Sequence, residues 1–206
     1  MRSFSRAVKA ALGTVGLVAA LLGAVAAPAN AEASGPARTV EEALRQAGGI
    51  SEGIAADLPP EVVASANPSV CFSGHVQDIG WQPWECDDGG NLAYAGTEGQ
   101  GLRLEALRVA PSGTGGVTCV QAHVQNVAWQ KPVCVNDGRM AEIGTQAQSL
   151  RMEAFAFSSS TREVCAEAHM QNSGWLGEDC EPAGKTAVVG IVTLGLRMEA
   201  LRGRIN

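Results

Sequence analysis

His75-Val76-Gln77-Asp78-Ile79-Gly80-Trp81 returns as His123-Val124-Gln125-Asn126-Val127-Ala128-Trp129 and again as His169-Met170-Gln171-Asn172-Ser173-Gly174-Trp175. Twenty-eight residues after each histidine stands Arg-x-Glu-Ala, opening at Arg103, Arg151 and Arg197. The cysteines keep the same ruler: Cys71/Cys86, Cys119/Cys134 and Cys165/Cys180 are each 15 apart and bracket the His-to-Trp element. The period is 48 and then 46 residues, and every histidine and cysteine of the chain has a place in it. Three copies of one unit therefore make up most of the protein.

Each unit reads as short strands joined by turns. Val70, Phe72 and Gly74 alternate with Cys71, Ser73 and His75, the period of two that puts successive side chains on opposite faces. Gly80 and its equivalents break that strand before the tryptophan, and Asp87-Asp88-Gly89-Gly90 and Asn136-Asp137-Gly138 mark turns. The segment Leu102 to Arg108 contains residues that also favour helix, but its strict alternation reads as strand. That alternation places Leu102, Leu104 and Ala106 on one face and Arg103, Glu105 and Leu107 on the other. A unit this small cannot bury its own apolar face, so three must share one core. The expected fold is an all-β domain over 70–206 with pseudo-threefold symmetry, β-prism-like or β-trefoil-like. Its repeats span about 70–110, 117–157 and 164–205. A propeller normally needs at least four blades.

Six cysteines allow 15 pairings in principle. Equivalent units close in the same way, which selects Cys71–Cys86, Cys119–Cys134 and Cys165–Cys180. A thiolate metal site is the competing reading, and the chain has no Cys-x-x-Cys spacing to support it. No metal and no cofactor are expected.

Upstream, Arg2, Arg6 and Lys9 precede an apolar run from Ala10 to Ala27 that ends in Pro28 and the small-x-small triplet Ala29-Asn30-Ala31. This is the three-part pattern of a secretory signal peptide over 1–31. Its removal leaves no long apolar segment, so no membrane insertion is expected of a mature protein outside the cell. An exported chain meets oxidising conditions, which agrees with the disulfide reading. Residues 32–69 read as a spacer with one short helix, capped by Thr39 with Glu42 three residues on and ending at Gly48-Gly49.

Of 15 basic residues, three lie in residues 1–31, where there is no acidic residue; the rest of the chain carries 12 against 21, a net of −9. Phosphate polymers are held by clustered Lys and Arg, so nucleic-acid binding is not expected.

His-Val-Gln-Asn-Val-Ala-Trp-Gln followed by Gly-Thr-x-x-Gln-x-Leu-Arg-x-Glu-Ala resembles the clostridial hydrophobic-W repeat family. The likeness runs from about Val70 to Ile205. The first unit fits over Gly96 to Ala106, and the second keeps Gly144, Thr145, Gln148 and Leu150 to Ala154. The third retains Gly190 and Leu196 to Ala200, while Ile191-Val192-Thr193-Leu194 departs from the polar loop. A second family tryptophan survives only as Trp84, and the paired cysteines look like an addition. The resemblance implies extracellular placement and a non-catalytic role in attaching to polysaccharide, cell wall or protein partners.

Trp81, Trp129 and Trp175 are candidate platforms for sugar rings, since an indole offers a flat apolar face and one donor. The competing role is to fill the shared core. Trp84, without a counterpart, is a candidate exposed contact. Gln77, Gln125 and Gln171 lie two residues beyond the histidines on the same strand face and are candidate ligand contacts, and Gln82 and Gln130 would reach hydroxyls. The three histidines are read as structural donors to backbone rather than metal ligands, and Arg103/Glu105 and equivalents as structural ion pairs. The chain has no His-Glu-x-x-His run, and every histidine recurs threefold where a catalytic site would break the symmetry, so no catalytic residue is expected. The expected partner is an extracellular glycan or cell-wall polymer, or alternatively a surface protein.

Overall fold

The computed structural model describes residues 36–46, 58, 60, 67–87 and 91–206. The expected signal segment and most of the spacer lie outside them. Helix α1 (Pro36–Gln46) comes first. The first unit then supplies β1 (Ser69–Val76), β2 (Gly80–Trp81), β3 (Glu85–Cys86), β4 (Ala93–Gly96) and β5 (Leu104–Ser112). The second supplies β6 (Val117–Val124), β7 (Ala128–Trp129), β8 (Val133–Asn136), β9 (Ala141–Gly144) and β10 (Met152–Ser159). The third supplies β11 (Val164–Met170), β12 (Gly174–Trp175), β13 (Asp179–Glu181), β14 (Thr186–Gly190) and β15 (Met198–Ile205). The domain is all-β with three repeats around one core, as the period implies.

The three sheets have five strands each, and each is completed by a neighbour. β1 pairs with β2, β3 and β5 of its own unit, and β5 then pairs with β9 of the second unit. Likewise β10 takes β14 of the third unit, and β15 takes β4 of the first. The last exchange closes the ring, joining the final strand of the chain to the fourth. The sheets remain separate and do not merge into one closed barrel.

Glycine decides how closely the exchanged strands approach. At Gly144 φ is 89°, and a Cβ there would stand 2.5 Å from the Glu105 carbonyl oxygen. Gly96 and Gly190 meet the backbones of Glu199 and Glu153 in the same way. Only a residue without a side chain tolerates both the backbone angle and the contact.

The shared core is filled unequally. Directly paired positions hold Phe72 and Val109 in the first sheet, Val120 and Phe157 in the second, and Ala166 and Gly203 in the third. Phe72 meets the rings of Phe155 and Phe157 at centroid distances of 6.1 and 6.2 Å. It also occupies the space a Gly203 side chain would need, since a Cβ there would lie 3.3 Å from the ring. Two aromatic units and one small unit thus pack to a single density.

The cysteines stand directly opposite each other on paired strands and form the expected disulfides Cys71–Cys86, Cys119–Cys134 and Cys165–Cys180. Closing a loop of 15 residues contributes about 3 kcal/mol in the chain-entropy model.

Two local readings change. The helix begins at Pro36 rather than at a Thr39 cap, with proline in the first turn, where its missing N–H costs nothing. Strict alternation also fails in the closing strand. His75 faces Ala106 and Val76 faces Leu104, so Glu105 is an extra, bulged residue. The bulge resets the faces, and Leu104, Leu107 and Val109 all enter the core. The same shift occurs before Ala154 and Ala200.

Candidate functional site at the repeat junctions

The bulge aims a buried glutamate. Glu105 receives Arg103, with Nη2 2.7 Å from Oε1, while His75 Nδ1 stands 3.2 Å from Oε2. Glu153 holds Arg151 and His123, and Glu199 holds Arg197 and His169, in the same arrangement. The imidazole contacts lack the alignment of a hydrogen bond, so each carboxylate is oriented chiefly by its arginine. Each arginine–glutamate pair lies within one unit. The histidines, expected to donate to backbone, face carboxylates instead.

Each histidine sets its tryptophan. The His75–Trp81, His123–Trp129 and His169–Trp175 rings meet edge to face at 5.3, 5.3 and 5.4 Å. The hairpin between them turns through Asp78, Asn126 and Asn172, all at φ 62°, a conformation that Asp and Asn tolerate. The backbone N–H groups of Gln77, Gln125 and Gln171 donate to the carbonyls of Arg103, Arg151 and Arg197. This backbone bond ties the hairpin of each tryptophan to the arginine that precedes the closing strand of its own unit.

The loop that follows each exchanged strand completes the site from the next unit. Trp81 Nε1 donates to Gln146 Oε1 at 3.2 Å, joining the first unit to the second. A Cβ on Gly195 would lie 3.3 Å from Arg151 Nη2, and one on Gly101 the same distance from Arg197 Nη2. Three composite junctions result: the hairpin and arginine of one unit against the loop of another.

Their outer walls differ. Paired across the sheets stand Arg108 and Glu142, Ala156 and Val188, and Arg202 and Tyr94. Arg108 lies over the Trp81 ring at 3.8 Å and is held by Glu142; Arg202 lies over Trp175 at 4.2 Å and is held by Glu167. Trp129 has no such arginine. It packs instead in an apolar cluster with Ala156, Val188 and the Val40, Ala43 and Leu44 stripe of α1. All three tryptophans are half-buried, neither in the shared core nor free on both faces.

Other candidates go elsewhere. Trp84 lies off the junctions, packed with Leu58 against Cys71, Cys86 and Ala110. Gln82 and Gln130, expected to reach a ligand, turn inward: each amide brackets the backbone N–H and carbonyl of Gly96 or Gly144. The corresponding residue of the third unit is the exposed Leu176. Glu178 approaches Cys165 and Cys180, but both sulfurs are consumed by their disulfide and cannot ligate a metal. An open concavity of about 540 Å³ beside Leu44, Arg45 and Asp137 lies at the second sheet's rim.

Arg108, Arg202, Gln146 and Tyr94 were not singled out from sequence. Aligning the units would have flagged Arg108, Ala156 and Arg202 as one varying position, without telling which ring it covers.

A tandem array of all-β units, each closed by a disulfide and each presenting an indole at its border with the next, defines a repeat module. Residues 75–116 and 123–158, two adjacent segments, match the family model described as clostridial hydrophobic W, which is consistent with repeats. The third unit repeats their His–Trp and Arg–Glu contacts. No curated protein and no solved structure matches the chain.

Proposed function

We propose that this protein is a secreted, non-catalytic binding module that attaches to cell-wall or other extracellular polysaccharide through the repeat junctions. The observation that carries the reading is the threefold recurrence of one constellation: an edge-held indole, a glutamine on the hairpin and a facing loop. A catalytic centre needs one set of groups with unequal roles, whereas repeated weak sites gain by acting together. Three disulfides, and the lack among the described residues of any helix long and apolar enough to cross a membrane, agree with an extracellular place.

The test is retention of the oxidised protein on purified cell walls and insoluble polysaccharides. Trp81→Ala, Trp129→Ala and Trp175→Ala run alongside, with folding checked by circular dichroism. Retention that weakens in folded variants supports the reading; no retention on any matrix sinks it. A second reading, a protein-binding surface, is favoured by the exposed Val127, Val192 and Leu194 on the hairpin and loop that meet between the second and third units. Capture of a protein partner lost in Leu194→Asp would support that alternative.

A further inference from the structure

We infer that the module is bivalent rather than trivalent: the first–second and third–first junctions bind a neutral, hydroxyl-rich glycan, and the second–third junction does not. The inference rests on the polysaccharide reading and names its sites and ligand class.

Two independent differences fall on the same junction. The loop facing Trp81 exposes Gln146 and Gln148, and the loop facing Trp175 exposes Glu98 and Gln100. Their counterparts facing Trp129 are Val192 and Leu194, the latter 66 % exposed. An amide both donates to and accepts from a sugar hydroxyl, while a leucine leaves that hydroxyl without a partner. The outer wall differs as well. Arg108 and Arg202, each locked by a carboxylate, cover one face of their indoles, whereas α1 closes over the Ala156 face beside Trp129. Helix and loop together convert the third junction into an apolar one.

The charge pattern selects the ligand class. At the two polar junctions Arg103, Arg108, Arg197 and Arg202 each already hold a carboxylate. Asp78 and Glu98 stand exposed beside them. A phosphate- or uronate-bearing polymer finds repulsion there, and the acidic chain adds to it. Neutral hydroxyls, which need donors and acceptors but no counter-charge, fit.

The experiment measures retention on insoluble chitin, cellulose and curdlan, which carry little or no charge, and on calcium-gelled alginate and pectin, which are anionic. Gln148→Ala, Gln100→Ala, their double variant and Leu194→Ala are compared, all at exposed positions. Expected is retention on at least one neutral matrix, reduced by roughly 10²-fold when either polar junction is damaged and avidity is lost. The double variant is not retained, and Leu194→Ala matches the wild type. Equal weakening by Leu194→Ala overturns bivalency but leaves the polysaccharide reading standing. Retention on the anionic gels alone overturns the ligand class. Absence of retention on every matrix overturns the reading and this inference together.

Discussion

Asp87 accepts the backbone N–H of Ile205 at 2.9 Å, across 118 residues of chain. Its other oxygen takes the Val70 N–H at 2.6 Å and the Ser69 hydroxyl at 2.7 Å. One carboxylate thereby ties the start of β1 to the end of β15, beside the β4–β15 ladder that closes the ring.

That tie has a cost with a definite sign. Burial is the main influence on Asp87 and pushes its carboxyl above the ordinary range, against the opposing pull of hydrogen bonds from Ile205, Ser69 and Val70. A carboxyl raised on folding binds its proton more tightly in the folded state than in the unfolded one. Its contribution to stability is therefore largest in acid, declines from about pH 4 up to the raised value, and is flat above it. Asp87→Asn removes this titration and turns an amide NH₂ towards at least one backbone donor, costing about 1–3 kcal/mol at neutral pH. Urea unfolding of both proteins over pH 3–8 checks it. The stability difference between them should shrink as pH rises, and a difference that grows would mean that the hydrogen bonds outweigh burial.

Gly144→Ala should lose about 2–4 kcal/mol, because the new Cβ meets the β5 backbone while the residue keeps a left-handed φ. Gly138 provides the control. Its φ is 74°, but nothing lies within 4 Å of a Cβ there, so Gly138→Ala should cost only the backbone strain, about 1–2 kcal/mol. Equal losses in denaturant titrations would mean that β9 does not approach β5 this closely.

The repeat, the disulfide pairing and the alternating strand were legible because each is a local pattern or a recurrence of one. Strand exchange was not, since Gly96-Thr97 has the same local sequence whichever unit its strand joins. The bulge was hidden for a related reason. Leu102, Leu104 and Ala106 keep perfect alternation, and only the three-residue step from Leu104 to Leu107 betrays the extra residue. Trp and Gln were found as site candidates by chemistry and recurrence. The inward turn of Gln82 and Gln130, by contrast, depends on the depth of the glycine they bracket. The asymmetry of the junctions needed the cross-strand register, which pairs Arg108, Ala156 and Arg202 with partners from other units.

Tyr94 gives an optical handle on one polar junction, being the single tyrosine of the chain. Burial first, then the charges of Glu98 and Glu85, push its phenol up to about 12. Its ring lies 6.4 Å from that of Trp175, across the border of the first and third units. Alkaline difference absorbance should give one transition near 12, moving down in Glu98→Gln because one repelling charge is gone. The folded state resists ionisation, so this group's contribution to stability falls as pH rises from about 10 to that value. A midpoint near 10 in a protein still folded would contradict the burial of Tyr94 at the junction.

Helix α1 should be detachable without unfolding the three sheets. Eleven residues are too few to hold a helix alone in water, so its order depends on the second sheet. The contact is carried by Val40, fully buried, and Leu44, 8 % exposed, over Ala156 and Val188. The ion pair of Glu41 with Lys185 at 3.6 Å is exposed on the lysine side and adds little. Val40→Asp removes about 1.5–3 kcal/mol of docking and buries a charge if the helix stays in place. Hydrogen exchange should then show lost protection over residues 36–46 with β6 and β10 still protected, and binding of a hydrophobic dye should rise as the face beside Trp129 opens. Retained protection in α1 would place its stability elsewhere than on this face, and loss of protection throughout the sheets would make the helix part of the folding core.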